Sequence, residues 1–152
     1  MRYAIFLVAL VGCIGNDLPE GSFGTMSTAP TIHFSRSKTG LTNYGGTGFY
    51  QWFVILSTGD GCAGDTAATF EINSSLTGPN AFPTGVIPIR AEQIPTTVPS
   101  ALVTADTATG VSGSITITSV SGQGAGARVD GSADMTLTTG PATASFIAYT
   151  CQ

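Results

Sequence analysis

The chain is poor in charged side chains and in the residue types that carry catalysis. Only 9% of its 152 residues are charged, far below the ~25% of typical globular proteins. One histidine and three cysteines limit the metal sites and nucleophiles that it can build. Five basic residues against nine acidic ones give a net charge of −4, without the basic surface that nucleic-acid binding needs. We therefore expect no nucleic-acid partner.

Helix-forming sequence is also scarce, and what remains is rich in β-strand signals. Twenty glycines, eight prolines and long Thr/Ser runs disfavour helices, while a hydrophobic content of 42% allows a buried core. Segment 128–138 places apolar or small residues at odd positions and polar residues at even positions, which is the period of a half-buried strand. Segment 48–57 is the longest apolar run beyond the N-terminus and is typical of a central strand.

Further short segments predict seven or eight strands in all. They lie at 31–35, 68–73, 85–90, 113–118 and 144–151. Pro88 makes its segment an edge or short strand, Pro95 and Pro99 mark a loop, and a phase slip at Val120 predicts a bulge. The sequence therefore predicts one all-β domain over residues 30–152, an antiparallel β-sandwich or a small barrel.

The N-terminus has the pattern of a signal peptide over residues 1–12. Arg2 is followed by an apolar run of about ten residues, too short to span a membrane as a helix. The run ends in Leu10-Val11-Gly12-Cys13, which resembles the lipobox of bacterial lipoproteins. The resemblance implies that the thiol of Cys13 takes a diacylglyceryl group, that cleavage before Cys13 leaves this acylated cysteine as the new N-terminus, and that acyl chains such as palmitate anchor it to a membrane. Ile14 resembles an outer-membrane sorting signal rather than an inner-membrane one.

Two other interpretations of this segment stay open: an ordinary secretory signal with an incidental Cys13, and an apolar first strand of a cytoplasmic protein. Residues 13–29 are rich in Gly, Asn, Asp, Pro and Ser, so they are expected to form the lipidated cysteine and a flexible tether. Counting cysteines favours the lipoprotein, because acylation of Cys13 leaves Cys62 and Cys151 as one disulfide pair in an oxidising compartment.

The closing half of the chain carries a second resemblance. Two predicted strand segments that contain glycines, 113–118 and 126–137, precede a last strand that ends in Cys151. This arrangement looks like small β-sandwich lipoproteins of predatory soil bacteria. The resemblance implies an architecture and no particular activity.

Few residues are candidates for a functional site. His33 has no nucleophile motif nearby, and Asp60 and Asp65 match no calcium loop, so we expect no catalytic residue, metal or cofactor. Asp130 and Asp134 are separated by about 13 Å along a strand, too far for a glycosidase pair.

Aromatic residues offer the remaining candidate site, which comprises Tyr44, Tyr50 and Trp52. They could form an exposed platform that stacks on a sugar, or they could belong to the core; the unbroken apolar run favours a buried Trp52. The sequence thus predicts a lipid-anchored, non-catalytic envelope protein that contacts the membrane and an envelope protein or glycan, with a carbohydrate- or ligand-binding module as the alternative.

Overall fold

The computed structural model describes residues 19–35, 50–59, 62, 64–74, 82–92, 98–122 and 127–151. These residues form nine β-strands. In chain order the strands are β1 Glu20–Phe23, β2 Met26–Ser35, β3 Tyr50–Thr58, β4 Asp65–Ser74, β5 Gly85–Pro88, β6 Ser100–Ala105, β7 Ala108–Ser121, β8 Arg128–Leu137 and β9 Gly140–Thr150. The expected all-β class is confirmed.

Eight of the strands close into a barrel. Antiparallel neighbours follow the order β7-β6-β4-β3-β2-β1-β9-β8, and β8 pairs back onto β7 to complete the ring. The short β1 separates β2 from β9 along only part of their length. Beyond its Glu20 end, β2 pairs directly with β9 in a parallel arrangement at Thr31 and Ile32. Of the two architectures that the sequence left open, the sandwich is therefore wrong and the barrel is right, because the sheet has no second layer to pack against and closes on itself.

The one described strand outside this ring is β5, which pairs with β7. The β6–β7 hairpin pairs only next to its turn, and β5 pairs with β7 at positions 114–117 farther along. Ile89 and Arg90 continue this contact towards β6 through hydrogen bonds to Gly113 and Ala101. The short strand predicted around Pro88 thus fills the part of the wall where β6 and β7 diverge.

Side chains from alternate positions fill the inside of the barrel. Along β8 the odd-numbered Val129, Ala133, Met135 and Leu137 are buried, which confirms the predicted alternation. The rings of Phe70 and Phe146 approach each other from opposite strands with centroids 6.2 Å apart. The remaining buried apolar residues include Ile32, Val54, Leu56, Ile72, Val103, Ile115, Ile117 and Ala148. The interior is a packed core.

The long strand β7 is irregular at two places. Its pairing with β8 shifts between Gly110 and Ser112 and again between Ile117 and Ser119. The second shift lies next to Val120, so the bulge predicted there is confirmed to within a few residues. Bulges increase strand bending, and here they let a strand of 14 residues follow the curved wall.

The predicted tether is wrong for residues 20–29. Glu20–Phe23 and Met26 onwards form a hairpin with a two-residue turn, and β1 pairs on its other side with β9. The Gly- and Ser-rich composition resembled a linker, but the pairing partner of β1 lies more than 120 residues later, at positions 144–147. The first strand of the described residues therefore starts at Glu20, inside the predicted tether, and residues 1–18 lie outside the described part of the chain. Strand β6, just after Pro99, was also missed by the sequence analysis.

Candidate functional site

A groove of about 620 Å³ crosses the outer wall of the barrel around β1. It extends over β7, β8, β9, β1 and β2, which are consecutive neighbours in the ring. Its lining is small and polar, with few large side chains: Pro19, Glu20, Gly21, Ser22, Ser27, Thr28, Thr118, Asp130, Gly131, Ser132, Ser145, Phe146 and Ile147. We call this surface the outer groove.

A row of serines runs through the outer groove perpendicular to the strands. Ser132 lies opposite Ser145, Ser145 opposite Ser22, and Ser22 opposite Ser27 in the pairings of four neighbouring strands. At about 4.8 Å between strands, the row is about 14 Å long. The hydroxyls of Ser22 and Ser145 are 3.0 Å apart and hydrogen-bonded. This hydroxyl row presents donors and acceptors side by side.

Two carboxylates flank the apolar Ile147 in the next row. Glu20 on β1 and Asp130 on β8 both lie opposite Ile147, one on each side of β9. Their Cα atoms are thus separated by two strand spacings, about 10 Å. The groove therefore combines acidic groups, hydroxyls and one aliphatic side chain.

Asp130 is held by a set of charge-assisted hydrogen bonds. Arg128 Nε donates to its Oδ1 at 2.8 Å, and Ser119 Oγ donates to its Oδ2 at 2.7 Å. The hydrogen bond from Arg128 is the main cause that lowers the pKa of Asp130 below its ordinary value, the Ser119 bond adds to it, and partial burial opposes both. Asp130 is consequently an ionised acceptor rather than a proton donor. The Arg128 guanidinium also lies 5.9 Å from the centre of the Tyr149 ring.

The predicted aromatic platform is not formed around Trp52. Trp52 is only 4% exposed and packs against Phe82, with ring centroids 4.9 Å apart. The buried Trp52 that the apolar run favoured is therefore confirmed, and Trp52 is corrected from a ligand-binding candidate to a core residue. Its side of β3 faces the barrel interior. Tyr44 and the side chain of Tyr50 lie outside the described part of the structure.

The predicted disulfide is present. Cys62, in the connection between β3 and β4, is bonded to Cys151, which directly follows β9, with Cα atoms 5.8 Å apart. The bridge ties the residue that follows β9 to the connection between β3 and β4. Cys13 lies outside the described residues.

The other candidates are not brought together. His33 is half-buried in β2 opposite Phe53, Asp65 is exposed at the start of β4, and Asp60 lies outside the described residues. Asp134 lies on the outer face of β8, opposite Thr143. Across the ranges that the structure describes, no three metal-ligating side chains come together.

The sequence analysis missed most of the outer groove. Glu20, Ser22 and Ser27 were assigned to a tether, and only Asp130 was considered as a site residue. The signal that could have found β1 is the alternation of polar with small or apolar residues over Glu20–Phe23, followed by the turn-forming Gly24.

Comparisons with family models, curated proteins and solved structures find no match to this chain. Within the described residues, no helix has the length and apolarity to cross a membrane.

Proposed function

We propose that the protein is a lipid-anchored, non-catalytic protein of the cell envelope, whose barrel serves as a structural or interaction module. One observation carries this proposal. Cys62 and Cys151 are bonded to each other, so Cys13 is the one cysteine of the three that the disulfide does not use. It stands at the end of the sequence that resembles a lipobox. A disulfide also agrees with an oxidising compartment outside the cytoplasm.

The position of β1 supports a short anchor. Glu20 is the first residue of the first described strand, and six residues, 14–19, lie between it and Cys13. At ~3.5 Å per residue this segment reaches at most about 20 Å. A barrel on such a segment stays close to the membrane surface, where several acyl chains, each buried CH₂ adding about 0.8 kcal/mol, hold it firmly. Ile14 favours the outer membrane.

The chemistry of the described surface supports a non-catalytic role. A general acid needs a raised pKa, whereas the pKa of Asp130 is lowered and its oxygens are occupied by Arg128 and Ser119. His33, half-buried in β2, makes no hydrogen bond to a serine or a carboxylate of the described residues. The outer groove is therefore better suited to binding than to proton transfer.

Substitution of Cys13 tests the proposal. The wild-type protein should fractionate with membranes, and its N-terminal peptide should carry the mass of acyl chains on Cys13. Cys13→Ser should release the protein into the soluble fraction or leave an unprocessed precursor. The matched control is Cys62→Ser/Cys151→Ser, which also removes thiols but should stay with the membrane. Equal membrane association of Cys13→Ser and wild type, or an unmodified Cys13, would contradict the proposal.

A further inference from the structure

The two ends of the barrel are built differently. At one end, which we call the turn end, two-residue turns at 24–25, 106–107 and 138–139 join β1 to β2, β6 to β7 and β8 to β9. A backbone hydrogen bond from Gly24 N to the carbonyl oxygen of Thr143 holds the first of these turns against β9. At the other end, which we call the anchor end, β2, β4, β7 and β9 finish and β1, β3 and β8 start. The longer connections from β2 to β3, β4 to β5 and β7 to β8 therefore leave from the anchor end.

The first described strand starts close to the anchor end. Its first residue, Glu20, lies opposite Ile147 near the end of β9. From the level of Ile147 to Thr139 in the turn end, the distance is about 27 Å along β9, or about 20 Å along the barrel axis at the usual strand tilt of ~35–45°. Residues 14–19 span at most about 20 Å. Cys13 can therefore lie beyond the anchor end with slack in the chain, whereas it meets the level of the turn end only with this segment fully extended along the wall.

Negative charge is concentrated at the turn end. Asp106 lies in the turn 106–107, Asp65 is the first residue of β4, and Asp134 lies on β8 opposite Thr143. All three side chains are exposed, and none forms an ion pair with another described residue. Anionic lipid headgroups repel such carboxylates within a Debye length of the surface.

Positive charge belongs to the anchor end. Arg128 is the first residue of β8 and forms an ion pair with Asp130. In the sequence, Arg36 and Lys38 come just after the last residue of β2. These three basic residues offset the carboxylates of Asp130 and Glu20, so the anchor end lacks the net negative charge of the turn end. An anionic bilayer therefore favours contact with the anchor end.

We propose that the barrel stands on an anionic membrane with its anchor end towards the lipid headgroups and its turn end towards the aqueous side. This inference rests on the proposed lipid anchor at Cys13 and adds the orientation of the barrel. The short segment before β1 brings the anchor end to the bilayer, and the carboxylates of Asp65, Asp106 and Asp134 stay away from the headgroups. The turn end is then the surface that an envelope partner meets first.

The test attaches a lipid to Cys13 by chemistry, so that it does not depend on acylation in the cell. In the full-length ¹⁵N-labelled protein with its disulfide formed, Cys13 is the one remaining thiol, and it is coupled to a maleimide phospholipid. The product is placed in bilayer discs of phosphatidylethanolamine and phosphatidylglycerol that contain a gadolinium-chelating lipid. Paramagnetic broadening falls with the sixth power of distance. With the two ends about 20 Å apart in height, the amide signals of Ser121 and Tyr149 should be broadened at least about tenfold more than those of Thr25 and Thr107.

The matched control moves the lipid to the opposite end of the barrel. In Cys13→Ser/Thr139→Cys the new thiol lies in the turn 138–139, and the same coupling should reverse the pattern of broadening. Equal broadening at the two ends of the Cys13-coupled protein, or stronger broadening at the turn end, would overturn the inference. So would a control that keeps the pattern of the Cys13-coupled protein, because the orientation would then not follow the anchor. Failure of the proposed function is observed separately, as an unmodified Cys13 in the protein isolated from cells.

Discussion

Replacement of Gly131 by alanine tests how tightly β8 and β9 pack inside the barrel. Gly131 lies directly opposite Phe146 on these strands, and the Phe146 ring covers it. A Cβ at position 131 would lie 2.6 Å and 2.8 Å from two ring carbons of Phe146 and 2.8 Å from the carbonyl oxygen of Thr116. Normal carbon–carbon contacts are about 3.5–4.0 Å. The ring is 3% exposed and faces Phe70, so it cannot turn into solvent to make room.

The expected loss follows from these contacts. Adding a methyl group to a filled core costs about 1–3 kcal/mol. Alanine also lowers the conformational entropy of the unfolded chain relative to glycine, which offsets about 0.4–1 kcal/mol of that cost. We therefore expect Gly131→Ala to lower the free energy of unfolding by about 1–2 kcal/mol. In a Phe146→Leu background the ring is gone, and the same substitution should cost about 1 kcal/mol less, a coupling typical of residues in contact.

Urea unfolding with the disulfide intact measures all four proteins of this double-mutant cycle: the wild type, Gly131→Ala, Phe146→Leu and the double variant. The midpoint should fall while the slope stays constant, because the surface exposed on unfolding changes little. Ser132→Ala, at the next position and on the outer face, is the control and should change stability by no more than about 0.5 kcal/mol. The reasoning is refuted if Gly131→Ala is as stable as wild type, or if the two substitutions have additive effects.

Three further predictions concern the disulfide, the core and the surface ion pair. Cys62→Ser/Cys151→Ser should lower the free energy of unfolding by about 4–5 kcal/mol, because the bridge spans a sequence separation of 89 residues; a difference under about 1 kcal/mol in urea unfolding would contradict this. Trp52→Ala should cost about 3–5 kcal/mol, and native tryptophan emission should be blue-shifted and shielded from iodide, whereas a red-shifted, freely quenched emission would contradict the burial. Because the pKa of Asp130 is lowered, its pairing with Arg128 stabilises the fold above the ordinary pKa of 3.8 and is lost as the pH falls through the lower folded value. Since both side chains are about a quarter exposed, Asp130→Asn should lower the free energy of unfolding by no more than about 1 kcal/mol at pH ~7, and by less in acid. Urea unfolding at both pH values measures this difference, and an equal loss at both would contradict the pairing.

Local pattern was sufficient to predict much of this protein. The alternation over 128–138 identified β8 and the residues that it buries, because a strand exposes alternate side chains whatever its partners are. The apolar run around Trp52 predicted its burial, since a strand without a polar face has no side to offer to water. Counting cysteines identified the Cys62–Cys151 pair. Each of these features depends on residue type and spacing within the chain.

Closure of the barrel and the existence of the outer groove were decided only by tertiary structure. A sandwich and a barrel have the same inward–outward alternation, and the pairing of Glu20–Phe23 with positions 144–147 distinguishes them. The groove likewise joins Ser22 and Ser27 to Ser132 and Ser145, whose spacing along the chain carries no mark of their contact. Strand register across more than 100 residues is set by how the whole sheet buries its core, so composition alone made the first hairpin resemble a linker.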